Sequence, residues 1–218
     1  MTAPAIRLGG WAVADAARAA GQLAQALALH AAAWALALLA WRAAPVLGAI
    51  AALPVAALTV RLFILQHDCG HGSFFPDRRW NRWTGRGLAL LTFTPFAYWR
   101  RFHALHHATS GRLDRRGEFD FRTLTLREYQ AMRPAARLAY CIYRHPLVLF
   151  GVLPPLAFLV AYRLPWFAPR DWRRERHSIL LTDAALLAFW GAVGWLAGWA
   201  AVVTIAGTAI VIASCGGF

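Results

Sequence analysis

Long apolar stretches dominate the chain and alternate with short basic connections. Residues 23–41 and 45–66 can each cross a bilayer as a helix, because about 20 residues rising about 1.5 Å each span its hydrocarbon core. Residues 179–218 are almost continuously apolar and can hold two more spans with a turn near Gly198. The pattern predicts an all-α integral membrane protein with about four transmembrane helices.

Two other apolar stretches are not predicted to cross. Residues 87–99 are too short to span a bilayer, and residues 146–162 contain Pro154-Pro155 and have arginines on both sides. We expect both to form interfacial or re-entrant helices. Residues 1–21 are predicted to be a cytoplasmic lead-in, which gives an arrangement of four crossings with the N-terminus inside.

Composition and charge support this placement. The chain of 218 residues has 59% hydrophobic residues and a formal net charge of +13. Its arginines concentrate in residues 78–144 and 163–176, and such stretches favour the cytoplasmic side, where they face anionic lipid headgroups. The sequence contains no nucleic-acid-binding module, so we attribute the charge to membrane topology.

Five of the eight histidines fall into two tight clusters. In the first cluster the spacing is i, i+4, and in the second it is i, i+3, i+4, so on helices each cluster shares one face. Imidazole nitrogen binds iron, zinc and copper. A single pair of this kind is also typical of a solvated helix surface, but two clusters beside apolar segments indicate a shared metal site. The candidate ligands are His67, His71, His103, His106 and His107.

Other polar residues have weaker signals. His30, inside the first span, is expected to be a packing residue, and His145 and His177 to be solvated at the interface. Asp68 could fix the tautomer of a neighbouring histidine. The sequence leaves open whether Asp183 reaches the interface or pairs with Arg61.

Gly70 and Gly72 lie in and beside the first cluster, where each weakens a helix by about 1 kcal/mol. A glycine is expected there because the backbone turns sharply or a neighbour packs closely.

The two clusters resemble known motifs. Residues 67–74 (His-Asp-Cys-Gly-His-Gly-Ser-Phe) and 99–111 (Trp-Arg-Arg-Phe-His-Ala-Leu-His-His-Ala-Thr-Ser-Gly) are similar to the first and second histidine boxes of membrane fatty acid desaturases. The similarity is closest to the bacterial and plastid acyl-lipid branch. It continues through residues 113–117 and 143–147, and residues 22–218 are identified as a desaturase-like membrane domain.

This resemblance implies a di-iron enzyme of lipid metabolism. Family members bind two non-haem irons through histidines, activate dioxygen with electrons from ferredoxin or cytochrome b5, and remove hydrogens from an acyl chain. It implies iron ligands at all five clustered histidines, a place for Trp99 along the substrate path, and a supporting role behind the ligands for Asp120. We therefore expect a protein of a bacterial inner membrane with its boxes on the cytoplasmic face.

One feature of the family is missing from the sequence. Desaturases of this type carry a third histidine box, HxxHH, after the last span, whereas no histidine follows His177 here. The sequence-based expectation is a domain incomplete at its C-terminus and inactive as it stands. Two alternatives remain open: a related membrane hydroxylase or carotenoid oxygenase, which the Asp-Cys-Gly interior of the first box disfavours, and a non-catalytic membrane protein with the same fold.

Overall fold

The fold, taken from a computed structural model, is described for residues 13–116 and 121–216, and within these ranges it is α-helical without any β-strand. This confirms the predicted all-α class. The helices are α1 (Ala16–Ala43), α2 (Pro45–His71), α3 (Arg78–Thr92), α4 (Phe96–Thr109), α5 (Leu126–Ala131), α6 (Pro134–Arg144), α7 (Leu153–Leu159), α8 (Arg173–Ala197) and α9 (Trp199–Gly216). A π-helical turn separates α6 from α7, and two 3₁₀-helical turns lie between α7 and α8.

Four of these helices, namely α1, α2, α8 and α9, are long and apolar enough to cross a membrane. This confirms the four predicted spans, including the turn at Gly198, whose φ of 96° places it in the left-handed region that glycine tolerates. The spans also leave large apolar side chains such as Leu36, Leu39 and Leu187 exposed, as lipid-facing surfaces require. The protein is a multi-pass membrane protein.

Small residues bring α1 and α2 together as an antiparallel hairpin. At the connection, a side chain at Gly48 would lie only 2.8 Å from Cβ of Trp41, so glycine permits this close approach. The first span begins at Ala16, within the predicted lead-in, and the second continues through His71. Alanines form the buried stripe of α1: Ala19, Ala26, Ala33 and Ala37.

Residues 87–99 meet no criterion for a span, as predicted, but they do not form one continuous helix, because the chain breaks in their middle. Thr92 ends α3, Phe93 has a left-handed φ of 55°, and α4 begins after Pro95. Proline disfavours the helical conformation in the residue before it, which explains the break. Neither α3 nor α4 meets the length and hydropathy of a span.

The region of residues 146–162 is irregular, and its irregular helical turn precedes the two prolines. Residues Leu147–Val152 form a π-helical turn, and Pro154 and Pro155 stand in the first turn of α7. Proline is tolerated there because its missing N–H would have no partner in the first turn of a helix. Residues 147–163 bend by 56° from α6, so a fifth crossing would require this pair to be one broken span.

Ionic and polar contacts tie α8 to α4 and to the break before it. Asp183 pairs with Arg163 at 2.6 Å, and Arg163 also donates a hydrogen bond to the carbonyl oxygen of Phe93 at 2.7 Å. Arg61 instead donates to the side-chain oxygen of Gln22 at 3.5 Å, so the partner of Asp183 is Arg163. At the beginning of α8, Glu175 accepts from Arg101 of α4 at 3.1 Å. The start of α8 therefore lies beside the second histidine cluster.

Candidate metal centre

The last turns of α2 present the first histidine pair. His67 and His71 lie one turn apart, with ring centroids separated by 4.6 Å. The helix ends directly after them at Gly72, whose φ of 74° is favourable only for glycine, as expected for this position. The backbone N–H of Gly72 donates to the carbonyl oxygen of Cys69, and this bond closes the final turn.

The second cluster meets the first from α4. The Nε2 atom of His103 lies 3.0 Å from Nε2 of His67, 3.1 Å from that of His71 and 3.0 Å from that of His107. One potential ligand atom from each of these four histidines lies within 4.8 Å of all the others. The structure thus brings together four of the five histidines that the sequence singled out.

The three distances around Nε2 of His103 match those between neighbouring ligands of a single transition-metal ion. Two imidazole nitrogens bound at about 2.1 Å lie about 3.0 Å apart at right angles and about 3.4 Å apart in a tetrahedron. The distances around His103 are 3.0 to 3.1 Å. A site made only of imidazole nitrogen suits iron, zinc or copper better than magnesium or calcium.

The electrostatics of the cluster favour metal binding over protonation. Burial, together with the neighbouring histidines, lowers the pKa of His103 to about 4. His103 is therefore neutral near pH 7 and has a lone pair available for a cation. On the other side of the cluster, Oδ1 of Asp68 lies 3.3 Å from Nδ1 of His67. A proton held between these two atoms leaves Nε2 of His67 free to face the cluster.

Trp99, the first residue of the second box, contacts histidines of both boxes. Its buried ring stacks on His103, with centroids 4.7 Å apart and planes inclined by 12°, and it lies 5.8 Å from the ring of His67. A side chain at Gly70 would approach Trp99 to 2.8 Å, so this glycine provides the close packing that the sequence predicted. Trp99 fixes the orientation of His103 through direct contact.

Two phenylalanines that the sequence analysis missed extend this aromatic contact into the bundle. Phe63 meets Trp99 edge to face at 5.4 Å and Phe158 at 5.6 Å. The sequence spacing could have identified Phe63, because Phe63, His67 and His71 occupy successive turns of one face of α2. Both phenylalanines line a small, mainly apolar cavity with Thr59, Val60, Thr92, Ile210, Ala213 and Ser214.

The remaining predicted residues are placed differently. His106 lies outside the group of four, with its ring centroid 5.9 Å from that of His103 and 5.6 Å from that of His107. Its role as a ligand stays a prediction, and Asp120 lies outside the described residues. His30 is buried, and its Nε2 lies 3.2 Å from the hydroxyl oxygen of Thr59, which agrees with the packing role expected for it. His145 and His177 are exposed.

Comparison with known proteins decides the family. The family model described as fatty acid desaturase matches residues 41–218. The chain belongs to the fatty acid desaturase family. This confirms the resemblance found in the two histidine boxes, and no solved structure matches the chain.

Individual relatives come from bacteria and plants. A fatty acid desaturase of Bacillus subtilis is 40% identical over 133 residues, which cover 61% of this chain and 37% of the relative. The sn-1 acyl-lipid omega-3 desaturase (ferredoxin) of Synechocystis is 30% identical over 141 residues, covering 62% of this chain and 37% of the relative. A chloroplastic omega-3 fatty acid desaturase of Brassica napus is 43% identical over 53 residues, or 24% of this chain and 13% of the relative. The desaturase-family chain thus spans little more than a third of the length of the first two.

Proposed function

We propose that the chain forms the histidine-bound iron centre of an acyl-lipid desaturase, with His67, His71, His103 and His107 holding one non-haem iron. The observation that carries this proposal is the convergence of their nitrogens, from both boxes, within 4.8 Å. Membership of the desaturase family supports iron over zinc or copper. Bound iron, with dioxygen, supplies the oxidising power needed to remove hydrogen from an unactivated methylene, which acid and base side chains lack.

The family resemblance implies a second iron, whereas we assign these four imidazoles to one ion. We propose that His106, next to His107 on α4, belongs to that second ion together with ligands outside the group of four. Its ring lies 5.6 Å from that of His107, close enough for two neighbouring metal sites to share α4.

Aromatic side chains beside the histidines support a lipid substrate. Trp99 and Phe63 form an apolar surface next to the histidines, and Phe158 continues it to the cavity. Such surface excludes water and accepts methylene groups, so we propose an acyl chain of a membrane lipid as substrate. The Synechocystis relative carries ferredoxin in its name, which favours a ferredoxin over cytochrome b5 as electron donor.

We further infer that the histidines face the cytoplasm at a bacterial inner membrane. Cysteines introduced at Gly111 and Arg170, in a variant whose three native cysteines are replaced, should react with a membrane-impermeant reagent from the same side. Both positions are exposed. Gly111 follows α4, which carries the second box, and Arg170 precedes α8, whose first turn contacts α4. A cysteine at exposed Ala200, in the first turn of α9, is the control for the opposite side. Labelling of Gly111 and Arg170 from opposite sides would contradict the arrangement.

The activity test compares two proteins. Expressed alone with a ferredoxin and its reductase, the 218-residue chain should produce no new unsaturated acyl species, because its clustered ligands serve one iron where the family uses two. Fused to the segment of the Bacillus subtilis relative that follows its matched residues, the chain should produce a new double bond that gas chromatography detects. His103→Ala in this fusion should abolish the new product. Activity with cytochrome b5 but not with ferredoxin would show that cytochrome b5 is the electron donor. A hydroxylated product would favour the hydroxylase alternative. Inactivity of the fusion, despite normal iron loading, would count against a desaturase.

A further inference from the structure

Gln66 is a fully buried polar residue that immediately precedes His67 in α2. Its Nε2 donates to the carbonyl oxygens of Gly85 at 3.1 Å and Thr94 at 3.3 Å. Its Oε1 accepts from the hydroxyl of Thr92 at 2.6 Å. Every one of these partners lies in α3 or in the break between α3 and α4, so one side chain of α2 holds this break.

The break determines the direction of α4. The segment 93–95 contains the left-handed Phe93 and Pro95, and α4 starts immediately afterwards and carries His103 in its second turn. Thr94 is completely buried, so its carbonyl oxygen has no access to water and depends on the Gln66 amide. A shift of this segment would therefore be transmitted to the second histidine cluster along the helix.

Close packing adds to the same junction. A side chain at Gly85 would lie 2.4 Å from the ring of Phe96, so glycine allows the first turn of α4 to press directly on α3. The carbonyl of Gly85 is also one of the acceptors of Gln66. Helices α2, α3 and α4 consequently meet at a single hydrogen-bonded amide.

We propose that Gln66 is a positioning residue of the metal centre, which sets the distance between the histidines of α2 and those of α4. This inference rests on the proposed metal-binding function. A buried amide is costly unless its hydrogen bonds are made, and leucine would fill the same core without that requirement. The benefit of glutamine is a fixed geometry: His103 lies 3.0 to 3.1 Å from three nitrogens, and small displacements would break that arrangement.

The test measures Co²⁺ binding to the purified chain in detergent, with the visible absorption bands of Co²⁺ reporting its coordination. Gln66→Met keeps the length of the side chain and removes all three hydrogen bonds. We expect its Co²⁺ affinity to fall about 10- to 100-fold, as for other residues that orient ligands. Thr92→Val removes one of the three hydrogen bonds of Gln66, the bond to Oε1, together with a bond to the carbonyl oxygen of Leu88. It should lower the Co²⁺ affinity less than Gln66→Met does.

Thr59→Val is the matched control. The hydroxyl of Thr59 donates to the carbonyl oxygen of Val55, four residues earlier, and lies 3.2 Å from Nε2 of His30; neither partner belongs to the α3–α4 break. Its loss should lower thermal stability without changing Co²⁺ affinity or spectrum.

The outcomes separate the two proposals. Absence of Co²⁺ binding by the wild-type chain would overturn the proposed metal centre and this inference with it. Normal wild-type binding together with unchanged affinity and spectrum in Gln66→Met would overturn the role of Gln66 alone, as would an equal loss in Thr59→Val. If Gln66→Met does not fold, the Co²⁺ affinities of Thr92→Val and Thr59→Val are compared instead. A lower affinity in Thr92→Val alone supports the role of Gln66, and equal affinities overturn it.

Discussion

Replacing His103 by alanine is expected to abolish binding of the metal ion that we propose for the two boxes. Its Nε2 lies within 3.1 Å of the corresponding atoms of His67, His71 and His107, so its loss leaves a gap between the other three ligands. Because loss of a residue that only orients a ligand costs about 10- to 100-fold in affinity, loss of a central ligand should exceed that range. Titration of Fe²⁺ under anaerobic conditions, with metal content measured after desalting, provides the check.

The other histidines supply controls of the same chemical type. His145→Ala and His177→Ala should leave the iron content unchanged, since both side chains are exposed and neither belongs to the group of four. His106→Ala should retain the first ion, because His106 also lies outside that group. Unchanged iron in His103→Ala would contradict the site, and loss of the first ion in His106→Ala would place His106 among its ligands.

Asp183→Leu is expected to destabilise the fold, with an upper limit of about 3–5 kcal/mol, the cost of removing one partner of a fully buried ion pair. The Arg163 guanidinium bonds to both Asp183 and the carbonyl oxygen of Phe93, and both members of the ion pair are largely shielded from solvent. Without the carboxylate, the guanidinium keeps its charge in a place with little water. Thermal unfolding in detergent, followed by circular dichroism, should show a markedly lower midpoint.

A double substitution tests the physical reason. Arg163→Met combined with Asp183→Leu removes the isolated charge and should recover much of the lost stability, although it also removes the hydrogen bond from Arg163 to the carbonyl oxygen of Phe93. Asp114→Asn, which removes the exposed partner of Arg112, should hardly shift the midpoint. An equally small shift in Asp183→Leu would show that the ion pair does not stabilise the fold.

The sequence by itself determined the class of protein, the number of spans and the two histidine boxes. Hydropathy predicts spans because a membrane helix needs about 20 consecutive, mainly apolar residues to cross the hydrocarbon core. The i, i+4 spacing predicts His67 with His71, and His103 with His107, because that spacing places side chains one turn apart on a single helix. These are local properties, so no knowledge of distant contacts was needed.

Only the tertiary structure decided which residues from different helices meet. His106 and His107 are adjacent in sequence but differ by about 100° around α4, so the rotation of α4 against α2 selects His107 for the group of four. The pairing of Asp183 with Arg163, and not Arg61, follows from the packing of α8 against the break at Phe93. Such contacts depend on how whole helices are oriented, and no pattern within one helix specifies the side chain that an adjacent helix will present to it.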